Sequence, residues 1–309
     1  MTFYYGVFLL FIMSLVACST NAPNRDSEQK RNEHLPAQAD SSNGALNQVT
    51  FSQVMELSSK ADTSEKIAYG ENSLQYGHLY LPANVKGAED VEKAPLVIFV
   101  HGGCWLNAYG VGHSVGLSQA LAKEGYAVWS IEYRRTGDAG GGWPGSLNDV
   151  LKGVSFAQTF KEYPIDLNNV VLVGHSAGGH LALLASAEQR HVFKGGARLK
   201  GVIGLAAIVD VVGYSQGQNS CQAATTTFFA GSAEQKMKAY KLATPTNYTL
   251  PAETFLLQGT ADEIVEVSEA QKSGLEYLIV EKAGHFDWIH PETNAYQAFL
   301  SALKQQVEE

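Results

Sequence analysis

One serine of this chain lies between two glycines in a pattern that can turn a hydroxyl group into a nucleophile. Ser176 is the centre of the sequence GHSAG, residues 174–178, which follows the apolar run 170–173 and precedes a helical pattern. A serine hydroxyl is a weak nucleophile until it is exposed on a sharp turn beside a base. The flanking glycines permit such a turn, and the helix N-terminus beneath it favours developing negative charge. An ordinary tight turn is the alternative, but the strand–turn–helix context favours a nucleophile.

A base and an acid that orients it are expected downstream of Ser176, in the order serine, acid, histidine. The predicted strand 255–258 is followed by a loop that contains Asp262, and the predicted strand 275–280 is followed by a loop that contains His285. His285 would accept the proton of Ser176, while Asp262 would fix the imidazole tautomer and stabilise its cation.

Other side chains compete for these two roles. Glu263 is the nearest rival of Asp262, and Asp210, at another strand end, is a weaker one. His180 lies in the helix after the nucleophile, where packing is the expected role. His290 precedes a proline at a helix start, where capping or a surface position is expected. Asp262 and His285 therefore remain the predicted acid and base.

A second glycine motif lies upstream of the nucleophile. The sequence HGGCW, residues 101–105, follows the apolar run 96–100. Two consecutive glycines let backbone N–H groups point into a cavity, where they can stabilise a tetrahedral oxyanion. A further donor would be the N–H group of Ala177, directly after the nucleophile. An HGG sequence alone is also common in flexible turns, but its position upstream of the serine motif favours the catalytic role.

The elements that must position these groups alternate between strands and helices. Predicted strands cover 73–81 (an antiparallel edge strand), 96–100, 126–131, 170–173, 199–205, 255–258 and 275–280, and predicted helices cover 114–124, 146–160, 178–188 and 293–307. Such alternation predicts an α/β fold with a mostly parallel, doubly wound sheet flanked by helices. The interval of about 211–249 breaks the rhythm and predicts a small cap insertion, within a catalytic domain at 51–309.

The segments HGGCW, GHSAGGHLALL, QGTADEIV and AGHFDWIHP together resemble the α/β-hydrolase superfamily. Within it, residues 74–307 resemble the HGG-x-W group of bacterial carboxylesterases and arylformamidase-like (kynurenine formamidase-like) hydrolases. The resemblance implies hydrolysis of a small acyl or formyl group without a metal or organic cofactor. The residues it implies are the nucleophile Ser176, the base His285, the orienting acid Asp262 and oxyanion donors around Gly103, Cys104 and Ala177. Esterases of the hormone-sensitive-lipase type carry a third glycine where this chain has Cys104, so the substrate range of that subgroup is not transferred.

These features predict an exported serine hydrolase that cleaves small-acyl carboxylic esters through an acyl-enzyme. The first alternative keeps the same triad but cleaves an amide, as an arylformamidase or, less favoured, a peptidase does. A non-catalytic binding lipoprotein is the third alternative, and it is disfavoured because all three residues of the triad are present.

The N-terminal part of the chain predicts export. Residues 3–17 are almost unbroken apolar sequence, shorter than the roughly 20 residues that span a bilayer but typical of a signal-peptide core. The sequence LVAC that ends at Cys18 resembles a lipobox, which implies a signal peptide at 1–17 and lipidation of Cys18, although no Lys or Arg precedes the apolar run. The residue after this cysteine is Ser19 rather than an aspartate, which in Gram-negative lipoproteins is compatible with sorting to the outer membrane, where the protein would face the periplasm. An ordinary secretory signal, which would release a soluble protein, and an uncleaved anchor are the alternatives. Residues 18–50 are polar and predict a flexible tether.

Composition excludes several classes of protein. Hydrophobic residues make up 45% of the chain and charged residues 17%, a folding composition rather than a disordered one. The net charge of −9 and the lack of any Lys/Arg cluster exclude a nucleic-acid partner. Only one long apolar run exists, which excludes a multi-span membrane protein, so a lipid anchor is the one membrane contact predicted. No oligomeric state is indicated.

Two cysteines remain once Cys18 is lipidated, an even pair in an oxidising compartment. A disulfide between Cys104 and Cys221 would join the predicted oxyanion loop to the predicted cap. Two separately buried thiols are an equal alternative.

Aromatic and basic residues near the motifs allow two interpretations each. Trp105, Trp143 and Tyr133 would either form the wall of an acyl or aryl pocket or pack in the core. Arg134 and Arg135 would either meet a substrate carboxylate or, as favoured here, form a solvated surface pair.

Overall fold

The structure is a computed structural model that describes residues 46–58, 63–83 and 93–308. The predicted signal peptide, the predicted lipidation site Cys18 and the predicted tether as far as residue 45 lie outside the described residues. Within those three ranges, no helix combines the length and the apolar character needed to cross a membrane.

A sheet of eight strands forms the centre of the fold. The strands are β1 (Glu65–Ala68), β2 (Tyr76–Tyr80), β3 (Ala94–Val100), β4 (Ala127–Ile131), β5 (Ile165–His175), β6 (Leu199–Leu205), β7 (Thr254–Gly259) and β8 (Glu276–Val280). Their order in the sheet is β1-β2-β4-β3-β5-β6-β7-β8. The β1–β2 and β2–β4 pairs are antiparallel and the other neighbours are parallel. The predicted α/β fold with a mostly parallel sheet is confirmed.

Helices cover both faces of this sheet. They are α1 (Phe51–Ser58), α2 (Val115–Lys123), α3 (Gly145–Phe156), α4 (Ala177–Ala187), α5 (Gln189–Val192), α6 (Val211–Tyr214), α7 (Ser220–Phe228), α8 (Ala233–Leu242), α9 (Val267–Gln271) and α10 (Asn294–Glu308). Short 3₁₀ segments lie at Val111–Ser114, Ala157–Glu162, Pro245–Asn247 and Asp287–Ile289.

Strand β3 shows how the two cores are divided. Leu96, Ile98 and Val100 point into the core that contains residues of α3 and α4. Val97 and Phe99 point into the opposite core, which contains residues of α2 and α10. Because successive strand residues face opposite sides and both sides are covered, the strand is a continuous apolar run. Its carboxyl end leads directly into the HGGCW sequence.

The predicted edge strand is not at the edge. Strand β2 lies between β1 and β4, with Gly77 opposite Ile67 on one side and Ile131 on the other. The true edge is β1, a strand of four residues that is mostly exposed and carries no alternating pattern. A short, solvent-exposed edge strand does not need alternating apolar residues. The sequence pattern therefore did not reveal this strand.

The interval 211–249 forms α6, α7 and α8 between β6 and β7, where the cap insertion was predicted. Hydrogen bonds attach this interval to segments at the carboxyl ends of the strands, and two of them show the arrangement. The N–H group of Trp143 donates to the carbonyl of Phe228 at 2.9 Å, and His180 of α4 contacts the carbonyl of Ala243 at 2.6 Å.

The end of the predicted tether is part of the packed domain. The carboxylate of Asp287 is fully buried and accepts hydrogen bonds from the backbone N–H groups of Val49 at 2.7 Å, Gln48 at 2.8 Å and Gly284 at 2.9 Å. The segment 46–50 is therefore fixed to the loop that carries Gly284. The packed domain begins before the predicted boundary, because backbone hydrogen bonds to a distant side chain leave no apolar pattern in the sequence.

Candidate active site

Ser176 lies on a sharp turn between β5 and α4. Its φ of 56° is in the left-handed region, which costs a non-glycine residue roughly 1–3 kcal/mol. The neighbouring glycines make the turn possible, because a side chain at Gly174 would collide with the carbonyl of Gly178, and one at Gly178 would collide with the carbonyl of His101. The backbone N–H group of Ser176 donates to the carbonyl of Leu205 at 2.8 Å, which fixes the turn to β6.

Asp262 and His285 form a buried pair on the loops after β7 and β8. The Nδ1 atom of His285 lies 2.8 Å from Oδ2 of Asp262. The other carboxylate oxygen accepts the N–H groups of Ile264 at 2.8 Å and Val265 at 2.9 Å. Burial by itself would raise the pKa of Asp262, but His285 and the two backbone donors outweigh it and hold the pKa below its usual value. The carboxylate therefore stays charged and directs Nε2 of His285 away from itself, as a general base requires.

His175 fixes this loop to the serine turn. Its Nε2 atom lies 2.9 Å from the carbonyl oxygen of His285, to which it donates, and the two rings are 4.7 Å apart. Burial, with the neighbouring His285, lowers the pKa of His175 to about 3, so its ring stays neutral. The structure thus brings Asp262 and His285 together and attaches the His285 loop to the turn that carries Ser176. Among the described residues, no hydrogen bond joins the Ser176 hydroxyl to His285, and such contacts often tighten only when substrate is bound.

The rival acids and histidines have other positions. Glu263 is exposed, and Asp210 caps α6 by accepting the N–H group of Gly213 at 3.1 Å. His290 is buried rather than on the surface, and its Nδ1 accepts the N–H group of Glu292 at 3.4 Å. In the part of the chain that the structure describes, no group of three or more His, Cys, Asp or Glu side chains is arranged to hold a metal ion.

The HGGCW loop turns through three successive residues with positive φ. The values are 112° at Gly103, 51° at Cys104 and 60° at Trp105. Among the described residues, the N–H groups of Gly103, Cys104 and Ala177 donate no intramolecular hydrogen bond. Unpaired N–H groups on a strained loop and at a helix N-terminus are the donors that an oxyanion requires.

A buried ion network lies behind this loop. His101 contacts Oε1 of Glu132 through Nε2 at 3.0 Å and stacks on the ring of Tyr133 at 4.5 Å. The Tyr133 hydroxyl donates to the carbonyl of His101 at 2.9 Å, and Glu132 also accepts the N–H group of Val111 at 2.9 Å. Burial would raise the pKa of Glu132, but His101, Arg135 and the Val111 donor lower it to about 2. The network fixes the strand end from which the loop departs.

The prediction of a solvated arginine pair is wrong for Arg135, whereas Arg134 keeps part of its side chain exposed. Arg134 contacts Asp149 through Nε and Nη2, both at 2.7 Å. Arg135 is buried and contacts Glu132 at 3.1 Å and Asp138 at 3.4 Å. Both guanidinium groups are therefore paired with carboxylates of the fold. Asp149 is brought to Arg134 by tertiary packing, whereas Glu132 and Asp138 each lie three positions from Arg135 in the sequence.

Two of the three predicted pocket aromatics are core residues. Trp105 is fully buried and stacks on Phe228 of the cap with ring centroids 5.0 Å apart. Tyr133 is also fully buried, in the ion network. Only Trp143 is partly exposed, and it packs against Phe229 at 5.8 Å. The core interpretation is therefore the one that the structure supports for Trp105 and Tyr133.

His180 connects three elements, in agreement with its predicted packing role. Its Nδ1 atom accepts the indole N–H group of Trp105 at 3.2 Å, and its Nε2 atom donates to the carbonyl of Ala243 at 2.6 Å. Burial lowers the pKa of His180 to about 4, so the ring is neutral and supplies the one donor and one acceptor that these partners need.

Cys104 and Cys221 form a disulfide, which is one of the two alternatives for this pair. Their Cα atoms are 4.9 Å apart although 117 positions separate them in the sequence. The bond joins the HGGCW loop to α7.

Sequence analysis did not identify His101, Glu132 and His175 as positioning residues. Each lies at or directly after the carboxyl end of β3, β4 or β5, which are neighbours in the sheet. The carboxyl ends of adjacent parallel strands meet at one edge, where ligands bind in open α/β sheets. Polar residues at three adjacent strand ends were the available signal.

The sheet order, the turn at Ser176 and the acid–histidine pair define an α/β-hydrolase. More narrowly, the chain belongs to the BD-FAE family, an esterase family of this fold. The family profile matches residues 78–274, more than half of the chain. The predicted resemblance to the α/β-hydrolase superfamily is confirmed.

Solved structures of esterases share the fold. Esterase B from Lactobacillus Rhamnosis has a TM-score of 0.67 at 20% identity, over 82% of this chain and 89% of that chain. A truncated carbohydrate esterase from gut microbiota has a TM-score of 0.65 at 19% identity, over 80% of this chain and 98% of that chain. At such identities the likeness concerns the fold alone.

Curated relatives match over a shorter region. A probable isoprenylcysteine alpha-carbonyl methylesterase of Arabidopsis thaliana is 34% identical over 128 residues, which are 40% of this chain and 24% of that protein. Esterase LipC of Mycobacterium tuberculosis is 28% identical over 121 residues, which are 39% of this chain and 28% of that protein. The matched part of this chain thus spans less than a third of the length of these relatives.

Glu132 is expected to make stability depend on acid pH. Its pKa of about 2 in the folded protein, against 4.5 ordinarily, means that the unfolded chain binds the proton first as pH falls. The contribution, about 3 kcal/mol, is fully present above about pH 5 and is lost as pH falls through about 2. Urea unfolding of wild type and Glu132→Gln should therefore show a stability difference that is largest near neutral pH and shrinks toward about pH 2. A difference that is constant with pH would contradict this role.

The disulfide is expected to stabilise the fold by about 2–5 kcal/mol. Cys104→Ser, Cys221→Ser and the double variant should lose the same free energy of unfolding, because each removes the same bond. Denaturant unfolding without reductant measures these values. A thiol titration of the unfolded, unreduced domain should find neither cysteine free, and additive losses or two free thiols would show that the bond does not form.

Proposed function

We propose that this chain is a serine hydrolase that cleaves carboxylic esters with small acyl groups. The observation that carries the proposal is the Asp262–His285 pair at 2.8 Å, attached through His175 to the turn that presents Ser176. The relatives and structural neighbours described above are esterases, which supports an ester as substrate.

In the proposed first step, the hydroxyl oxygen of Ser176 attacks the ester carbonyl carbon while His285 takes the hydroxyl proton. The carbonyl oxygen becomes an oxyanion that accepts hydrogen bonds from the N–H groups of Gly103, Cys104 and Ala177. One such donor is typically worth about 3 kcal/mol of transition-state stabilisation. The donors at Gly103 and Cys104 are preorganised, because the folded loop already holds both residues at positive φ and need not rearrange during the reaction.

The tetrahedral intermediate then collapses. The bond between the carbonyl carbon and the leaving oxygen breaks, and His285 gives its proton to that oxygen, so an alcohol departs and an acyl-enzyme remains on Ser176. Water then attacks the acyl carbon while His285 takes its proton. The bond between the acyl carbon and the Ser176 oxygen breaks, and His285 returns the proton to that oxygen, so the carboxylic acid is released and the serine is restored. Asp262 remains ionised throughout, in keeping with its lowered pKa.

Ser176→Ala is expected to lower kcat for a short-chain p-nitrophenyl ester at least about 10³-fold, because it removes the attacking oxygen. Asp262→Asn should lower kcat by about 10³–10⁴-fold, because it no longer fixes the productive imidazole tautomer. Glu263→Gln is the matched control, since this neighbouring carboxylate is exposed, and it should behave as wild type. Stopped assays with purified variants measure these ratios.

Ester activity that survives in Ser176→Ala would defeat the nucleophile assignment. The same assays with N-formyl aryl amines test the amide alternative. A higher kcat/KM for the formyl amide than for any ester in the series would replace the ester proposal by an arylformamidase with the same triad.

We further propose that the protein is exported as a bacterial lipoprotein, attached through Cys18 to the outer membrane and facing the periplasm. The apolar run 3–17, the LVAC sequence that ends at Cys18 and the polar stretch that follows support this localisation. Release as a soluble secreted protein is the alternative.

Metabolic labelling with a fatty-acid analogue tests the anchor. The wild-type chain expressed in a Gram-negative host should incorporate label and fractionate with membranes. Cys18→Ser should do neither, whereas the control Cys221→Ser should keep the label. An unlabelled wild-type chain recovered in the soluble periplasmic fraction would favour the secreted alternative.

A further inference from the structure

Three partly exposed aromatic rings form a continuous arc at the site edge of the sheet. Phe51 of α1 packs edge-on against Tyr109 with ring centroids 5.4 Å apart. Phe51 also packs against Phe286 at 5.7 Å. All three side chains are half-buried, so each keeps part of its ring open. We call Phe51, Tyr109 and Phe286 the aromatic arc.

Both ends of the aromatic arc touch the catalytic groups. At one end, Tyr109 lies so close to Gly103 that a side chain there would collide with the Cβ of Tyr109. At the other end, the ring of Phe286 lies 5.1 Å from the ring of His285, at an interplanar angle of 82°. The arc therefore runs from the oxyanion loop to the base.

The middle ring of the arc is fixed by contacts outside the site. Phe51 directly follows the segment whose N–H groups bind Asp287. The far end of α1 is attached by the Ser58 hydroxyl, which donates to the carbonyl of Gly112 at 2.6 Å. His113, which is buried, packs behind Phe51 at 5.7 Å. A ring held in this way loses little entropy when a ligand packs on it, which is the advantage of preorganisation.

We propose that the aromatic arc is a subsite for an aromatic group on the alcohol side of the ester. The inference rests on the proposed function. His285 must protonate the leaving oxygen, so that oxygen lies against the imidazole, and the group attached to it lies beside the rings that adjoin His285. Aromatic rings attract one another in edge-to-face and offset arrangements, beyond the area they bury. An aryl alcohol such as a benzyl or phenolic moiety is the matching ligand.

A pair of substrates distinguishes an effect on this subsite from an effect on the overall rate of ester hydrolysis. Benzyl acetate and n-butyl acetate share an acyl group and differ in the ring of the alcohol. Phe51→Leu keeps an apolar side chain against Tyr109 and Phe286 but removes the middle ring. The ratio of kcat/KM for the benzyl ester over the butyl ester should fall about three- to tenfold in this variant. Met55→Ala, an exposed position of the same helix, is the matched control and should keep the wild-type ratio.

A second pair of substrates locates the effect. Ethyl phenylacetate and ethyl pentanoate carry the same difference on the acyl side, and their ratio should stay within about twofold in Phe51→Leu. A fall confined to the acyl-side pair, or an unchanged ratio for both pairs, would overturn the proposal. Thermal unfolding of the variants accompanies the assay, because a detached α1 would lower both members of a pair together.

A binding measurement distinguishes this inference from the proposed function. Ligand-observed NMR of benzyl alcohol with Ser176→Ala detects the subsite without turnover. Binding should weaken about three- to tenfold when Phe51→Leu is added. If the protein hydrolyses no ester but this dependence on Phe51 is found, the proposed function and the alcohol-side assignment fail, and only the binding of an aromatic group at the arc stands. If esters are hydrolysed and binding is indifferent to Phe51, the subsite fails alone.

Discussion

Buried carboxylates that accept backbone N–H groups hold the loops at the carboxyl edge of the sheet. Asp262 accepts from Ile264 and Val265, on the loop after β7. Two other carboxylates do the same: Glu132 accepts from Val111 and Tyr133, and Asp287 from Gln48, Val49 and Gly284. Loops beyond the strand ends have no ladder partners, so side chains are one of the ways in which their N–H groups are satisfied. The positions of the base, the oxyanion loop and the N-terminal segment all depend on this kind of contact.

Such carboxylates stay ionised in the interior only when neighbouring groups donate hydrogen bonds to them or carry a positive charge. Desolvation alone opposes a buried charge by several kcal/mol, so each oxygen needs donors or a cation. Glu132 has His101 and Arg135 as well as backbone donors, and its pKa falls to about 2 despite burial. The same balance lowers the pKa of Asp262. The site is therefore rigid where it must be charged, and hydrogen bonds with fixed geometry set the directions of its reactive atoms.

Much of the fold and the pairing of Asp262 with His285 could be predicted from the sequence, because both leave a local pattern. Strands buried on both faces are apolar runs, and the candidate site residues lie in the loops that follow the carboxyl ends of these strands. Strand β5 was predicted too short, since its first half, residues 165–169, mixes polar and apolar residues and carries no continuous apolar run. Contacts made by tertiary packing were not predictable: Arg134 meets Asp149, and the backbone of Val49 meets Asp287, 238 positions away. No local pattern records a partner at such a distance.

The bond between Cys104 and Cys221 couples two segments that are 117 positions apart in the sequence. A displacement of α7 relative to the sheet would be transmitted through this bond to the backbone of Cys104. The N–H group of Cys104 is one of the proposed oxyanion donors, so the position of that donor is mechanically coupled to the helices between β6 and β7. Reduction of the bond would remove this coupling.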